Sequence, residues 1–196
     1  MNEAKYIIFD VESGGLPAEC SVLTASFQVA SETELMDELN LVIKHPIYIT
    51  TAQGLSINKI DLVKHDALGI SMGDARQRLK EFLTFYTDLS EAEKSFESDY
   101  FTSPKPKIKR LIPIAHGLHG DIESVKKILP GFEQYVSRVG IDTCMLAKHL
   151  QLRNKLPQIS LSLTSLANHS DIQFTPHDAR EDARTTWAWY LIARNM

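Results

Sequence analysis

Apolar and polar positions along the chain change period several times, and each change marks an element. Residues 5–16, KYIIFDVESGGL, begin with an apolar run suited to a buried strand and end in two acids. Residues 20–30 set Val22, Thr24, Ser26 and Gln28 against Leu23, Ala25, Phe27 and Val29, the alternation of a half-buried strand. Residues 38–45, ELNLVIKH, repeat it until Pro46 stops the ladder. Three consecutive strands in an antiparallel meander are therefore predicted. Residues 50–65, TTAQGLSINKIDLVKH, are polar and punctuated and read as a loop, with Leu55, Ile57 and Ile60 set over a cleft or tucked onto the core.

The period then becomes helical. Residues 72–87 space Leu79, Phe82, Leu83 and Tyr86 along one face, a stripe that packs on a sheet. Residues 88–109 turn polar, with Pro104 and Pro106 inside SPKPKIKR, and read as an irregular excursion. A short buried strand at 111–115 and a helix at 121–129 follow. A strand at 135–141, helices at 142–152 and 160–169, and a last helix at 178–194 with Ala183, Trp187, Tyr190 and Leu191 facing inward complete the pattern. Strands first, then strands alternating with helices, predict an α/β fold. Its mixed central sheet has strands 1–3 antiparallel, further strands parallel, and helices on both faces.

With 196 residues and 43% hydrophobic content, one domain over residues 1–196 is the expectation. The 21 basic and 25 acidic residues leave a formal charge of −4, which excludes a protein that holds nucleic acid by positive potential alone. Any phosphate-bearing substrate then needs metal ions or a local basic strip, for which Lys105, Lys107, Lys109 and Arg110 are the candidates. Cys20 and Cys144 lack metal-ligand spacing. With no leader-like or bilayer-length apolar segment in view, the reading is a cytoplasmic protein with no membrane partner.

The chemistry begins at the end of the first strand. Period-two geometry places Ile8, Asp10 and Glu12 on one side and Ile7, Phe9 and Val11 on the other, so two carboxylates stand side by side next to the core. Burying that charge is costly, and basic partners, raised pKa values or a bound cation are the remedies. No Lys or Arg lies between Lys5 and Lys44, so compensation comes from far along the chain or from solution. The Ser13-Gly14-Gly15 turn leaves the backbone uncluttered for an extended ligand. Near the C-terminus, HDAREDA sets His177 in a loop five residues before Asp182, which projects from the helix that Asp178 caps.

Three stretches carry a resemblance to a known family. FDVESGGL (9–16), AHGLHGD (115–121) and HDAREDA (177–183) resemble the three exonuclease motifs of the DEDDh family, which includes the proofreading epsilon subunit of bacterial DNA polymerase III, RNase T and oligoribonuclease. Gly117 and Gly120 depart from the Asn and the aromatic residue usual in the second motif. The resemblance implies an RNase H-like fold and a metal-dependent 3'-5' exonuclease. Such an enzyme releases nucleoside 5'-monophosphates from the 3' end of single-stranded nucleic acid, DNA being favoured, in repair or proofreading. It implies that Asp10, Glu12, Asp121 and Asp182 hold two Mg²⁺ (or Mn²⁺) ions, with Asp10 bridging and Asp121 acting mainly through water, and that His177 is the general base. Hard oxygen donors suit those ions rather than zinc. The resemblance further implies that Ser13, Gly14, Gly15 and Leu16 meet the terminal nucleotide, that Ile60 adds a second apolar wedge, and that a polymerase or a second copy of the chain is a partner. The alternatives are an exoribonuclease or short-oligoribonucleotide exonuclease, and an inactive nucleic-acid-binding or polymerase-docking module.

Overall fold

A computed structural model describes residues 3–15, 19–87 and 109–196. Its centre is a six-stranded sheet in the order β4-β3-β2-β1-β5-β6. Strands β1 (Tyr6–Ser13), β2 (Val22–Ala30) and β3 (Leu35–Lys44) form the antiparallel meander, and Phe9 pairs with Phe27 and Phe27 with Leu39. Two-residue β4 (Ile70–Ser71) runs parallel to the end of β3, while β5 (Ile112–Ala115) and β6 (Ile141–Asp142) extend the sheet in parallel on the other side.

Period two decides what each face packs. Ile7 and Phe9 of β1, with Ala25, Phe27 and Val29 of β2 and Leu41 and Ile43 of β3, face helices α3 (Met72–Tyr86) and α4 (Leu118–Ile128). Those helices answer with Ala75, Leu79 and Leu83, and with Val125 and Ile128. On the opposite face Tyr6 and Ile8 meet Ala183, Trp187 and Tyr190 of the last helix, α7 (Ala179–Ala193). Helices α5 (Thr143–Leu152) and α6 (Leu163–His169) pack behind α7, closing Ala147, Leu150 and Leu166 around Trp189 and Ala193. Tyr6 through Phe9 are all buried, as a central strand covered on both faces requires.

The sequence reading departs from the structure in several places. Residues 50–65 are not one loop. They form α1 (Ala52–Asn58), capped by the Thr51 side chain on the Gly54 amide, and α2 (Leu62–Leu68), capped by Asp61. Ile57, Val63 and Leu68 are exposed, so no apolar stripe betrays either helix. Within 135–141 the strand is reduced to an isolated bridge between Leu111 and Val136 and to β6 at the very end, with Val139 exposed. Helix α4 starts three residues earlier than predicted, at Leu118, because Gly117 in the left-handed region turns the chain into it. Helix α6 starts three residues later, where the Ser162 hydroxyl caps it. Residues 88–108, which include Lys105 and Lys107, lie outside the described residues. Among the described residues, no helix is long and apolar enough to cross a membrane.

Candidate active site

Strand β1 outruns its parallel neighbour. Its ladder with β5 ends at the Ile8–Ile114 pair, while its pairing with β2 continues through Asp10–Ser26 and Glu12–Thr24 and becomes irregular between Glu12 and Ser13. Asp10 and Glu12 therefore stand where β5 has stopped and α4 begins. Irregular pairing at a strand's end is a common way to re-aim side chains beside a site. Asp10 and Glu12 share the Ile8 face, the one α7 covers, and from the first turn of α7 comes Asp182, 8% exposed. Asp121 arrives from the first turn of α4.

The start of α7 is fixed from several directions. Asp178 caps it by accepting from the Arg180 and Glu181 amides at 3.0 and 3.1 Å. The Gln28 side-chain amide donates to the Arg180 carbonyl at 3.1 Å. Arg180 and Arg184 both pair with Glu38 on β3, the Arg184 contact at 2.8 Å. His177, just before the cap, is a non-glycine residue in the left-handed region with φ 66°. That conformation is costly for an L residue, and here it aims the His177 amide at Asp182 Oδ2, 3.0 Å away.

Ligand atoms of Glu12, His177 and Asp182 all lie within 4.8 Å of one another. No ion pair found among the described residues involves Asp10, Glu12, Asp121 or Asp182. The electrostatic consequence is strong. Burial first, then Asp121, Asp182, Glu12 and Asp178, raise the Asp10 pKa well above its ordinary value. Burial and the charges of Glu12, Asp142 and Asp182 push Asp121 up to about 8. Burial and Glu12 push Asp182 up to about 7 against the lowering effect of the His177 amide, and burial and Asp178 raise Glu12. Asp182 Oδ1 is buried with no hydrogen-bond partner. A crowd of oxygen donors with one buried oxygen unsatisfied, and no ion pair among the described residues to neutralise it, fits a hard divalent ion.

Two hollows flank this cluster. One, about 460 Å³, is walled by Glu12, Ser13, Gly15, Thr51, Ile57 and Asn58. The other, about 350 Å³, is lined by Ser26, Asn40, Asn58, Ile60, His177 and Arg180. Asn58 borders both, and its side-chain amide donates to the Ser13 carbonyl at 3.0 Å. Ser13, Gly15 and Ile60 thus line hollows beside the carboxylates, Ile60 in a different one from the other two. Gly14 does not line either. Its amide donates to the Ser21 carbonyl, its carbonyl accepts from the Thr51 amide at 2.7 Å, and a Cβ there would meet the Ile49 carbonyl at 2.6 Å. The glycine turn is uncluttered for the chain's own neighbour rather than for a ligand: a Cβ on Gly15 would strike Thr51 and one on Gly54 would strike Gly14. Leu16 lies outside the described residues.

A third hollow, about 590 Å³, lies at the other end of β1, among Lys5, Glu32, Lys109 and Arg110. Lys109 pairs there with Glu3 at 2.8 Å, and Arg110 donates to the Gln134 carbonyl. These two cations are therefore roughly 20 Å from Glu12 along a strand that rises about 3.3 Å per residue, so they do not serve the carboxylates. Asp178 caps α7 as the sequence predicts. Sequence reading missed Thr51, Asn58 and the reach of Asp142, and the Thr51-x-x-Gly54 cap spacing was the available signal for the first.

A mixed sheet with an antiparallel meander, parallel strands beyond it and helices on both faces is the RNase H-like fold found in solved exonucleases. Solved structures bear out this fold. E. coli exonuclease I in complex with a dT13 oligonucleotide superposes with a TM-score of 0.72 at 15% identity, over 98% of this chain and 41% of that one. The zinc-bound form of the E. coli exonuclease I complex with single-stranded DNA gives 0.73 at 16% identity over the same shares. Exonuclease X in complex with 5' overhanging duplex DNA gives 0.57 at 17% identity, over 97% of this chain and 92% of that one. The chain spans about two-fifths of the exonuclease I chains it matches. No protein-family profile and no curated protein matches it.

Proposed function

We propose that this chain is a divalent-metal-dependent 3'-5' exonuclease acting on single-stranded nucleic acid, DNA in preference to RNA, and that residues 1–196 act as one exonuclease domain. The observation that carries the reading is the grouping of Glu12, His177 and Asp182, whose ligand atoms lie within 4.8 Å of one another, with Asp182 Oδ1 buried and unsatisfied and with Asp10 and Asp121, from β1 and α4, near enough for the carboxylates to raise one another's pKa. The fold shared with solved exonucleases and the three motif stretches support it.

In this reading Asp10, Glu12, Asp121 and Asp182 would hold the divalent metal, and Mg²⁺ or Mn²⁺ would suit this all-oxygen set. Such ions supply charge stabilisation to the attacking and leaving oxygens of phosphodiester hydrolysis and make water acidic enough to attack at neutral pH. The chain's own residues do the rest. His177, exposed and within 4.8 Å of Glu12 and Asp182, accepts the proton of the attacking water. The hollow beside Glu12 and Ser13 receives the terminal nucleotide, with Ile57 against the base or sugar. Asn58 keeps the Ser13 carbonyl in place between the two hollows.

Single strands of matched DNA and RNA, labelled at either end and incubated with Mg²⁺ or EDTA, test the proposal. Stepwise release of mononucleotides from the 3' end, faster on DNA and stopped by EDTA, is expected. Release from the 5' end, or equal rates with and without EDTA, would overturn it.

A further inference from the structure

Asp121 sits on a helix turn with little stiffness of its own. Two glycines, Gly117 and Gly120, bracket that turn, and a Cβ at either would meet nothing within 4 Å. The N-cap of α4 is Gly117, which offers no side chain to the free amides, and the bond from the Asp121 amide to the Gly117 carbonyl is a long 3.4 Å. Glycine has the largest backbone freedom to lose and is a poor helix former, so this turn is held weakly from within.

It is held from outside. Asp142, at the end of β6, caps its own helix α5 through Oδ1, which accepts from the Cys144 and Met145 amides at 2.9 and 3.2 Å. Its Oδ2 accepts from the Leu118 amide at 2.9 Å, so one carboxylate caps two helices. Neighbouring contacts reinforce the tie. His116 Nδ1 lies 3.0 Å from Thr143 Oγ1, which also donates to the Ala115 carbonyl at 3.3 Å. The Leu118 side chain lies over Gly140, where a Cβ would come within 2.6 Å of it.

We propose that Asp142 is a positioning residue for Asp121: by capping α4 in place of the absent Gly117 side chain, it fixes where the Asp121 carboxylate stands relative to Asp10 and Glu12. The inference rests on the metal-binding reading of those carboxylates. Residues behind a metal ligand commonly change metal affinity by about 10- to 100-fold when altered.

Asp142→Ser isolates the tie. Serine caps α5 about as well as aspartate does, yet its single short hydroxyl cannot also reach the Leu118 amide. Gly120→Ala supplies the converse, since it stiffens the first turn of α4 in open space without restoring any charge. The full chain is titrated with Mn²⁺ by calorimetry, and amide hydrogen exchange is followed at 118–121. Asp142→Ser is expected to weaken Mn²⁺ binding about tenfold, at the lower end of that range, and to speed exchange at 118–121. It should lower kcat more than it raises KM, and adding Gly120→Ala should recover a good part of both losses.

Unchanged Mn²⁺ affinity in Asp142→Ser would overturn the proposal. So would a loss that Gly120→Ala does not lessen, because the effect would then be only that of a missing charge. If Asp142→Ser does not fold, Asp142→Asn carries the same test, its one carbonyl oxygen capping α5 while its amide nitrogen cannot accept from Leu118. A chain with no nuclease activity whose Mn²⁺ affinity still follows this pattern would defeat the proposed function and leave the positioning role standing.

Discussion

The two oxygens of Asp182 differ in their surroundings: Oδ2 takes the His177 amide at 3.0 Å, and Oδ1 is buried and takes nothing. A carboxylate so placed is stabilised by a proton or a cation, and the same holds for Asp10 and Asp121. Their folded pKa values lie above the ordinary 3.8, Asp121 at about 8 and Asp182 at about 7. A group with a raised folded pKa contributes stability below its unfolded pKa and loses that contribution as pH rises through the folded value. The metal-free protein should therefore lose Tm between about pH 4 and pH 8, and Mg²⁺ at pH 8 should restore it. Asp10→Asn removes one of the repelling charges, so in EDTA it should raise Tm, by about 2–4 °C for each kcal/mol relieved in a chain of this size, while abolishing hydrolysis. A lower Tm in EDTA would contradict the electrostatic account. His177 allows a cleaner separation of chemistry from fold. Asparagine tolerates the left-handed backbone, so His177→Asn should keep its amide on Asp182 and its Tm while kcat falls by about 10²-fold or more. Loss of Tm in step with kcat would show that the ring serves the fold instead.

At the level of elements, what could be read from the sequence depended on whether burial imposed a period. Strand β1 is recognisable as an apolar run, and β2 and β3 by alternation, although β2 proves buried on both faces with Ser26 and Gln28 inside. Helices α3 and α7 are recognisable by one buried stripe, with Leu79, Leu83, Ala183 and Trp187 where a 3.6-residue repeat puts them. Asp10, Glu12, Asp182 and His177 are recognisable for a related reason: they stand at the ends of β1 and α7. Helices α1 and α2 show no such period, since Ile57, Val63 and Leu68 face solvent. Gly54 looks like a helix breaker in sequence but is what lets α1 touch the β1 exit at all. A Cβ on Gly54 would lie 2.3 Å from the Gly14 carbonyl oxygen, a contact no rotamer relieves because both sides are backbone. Nor does the sequence show that Asp142 caps α4 from another element, because the contact depends on tertiary folding. Gly54→Ala should therefore push α1 off the loop, open the hollow beside Glu12 and raise KM severalfold with a smaller change in kcat, the Asp10–Asp182 arrangement being anchored elsewhere. Steady-state kinetics on oligonucleotides checks this, and an unchanged KM would remove α1 from the substrate site.

Across the whole molecule the formal charge is −4, and several of its described cations are paired with acids. Glu38 engages Arg180 and Arg184, Glu32 engages Lys5, and Lys109 is tied to Glu3 at the far end of β1 from the carboxylates. A protein that grips a single strand through many Lys and Arg contacts loses affinity steeply with salt, with a logarithmic slope of about −0.7 for each phosphate neutralised. In the proposed function the attraction for phosphate would come through divalent ions held by the carboxylates; among the described residues lining the two hollows the one Lys or Arg is Arg180, which pairs with Glu38, and Lys59 lies between Asn58 and Ile60. The apparent affinity for a single strand should accordingly fall with monovalent salt at a slope of about −1, the value for one or two phosphate contacts, and depend far more steeply on Mg²⁺. Fluorescence anisotropy with a labelled oligonucleotide, titrated in KCl at fixed Mg²⁺ and then in Mg²⁺ at fixed KCl, measures both slopes, with Asp182→Asn used to prevent turnover. A KCl slope of about −4 would correspond to some six neutralised phosphates. It would show that an extended basic track, rather than the carboxylate cluster, holds the strand.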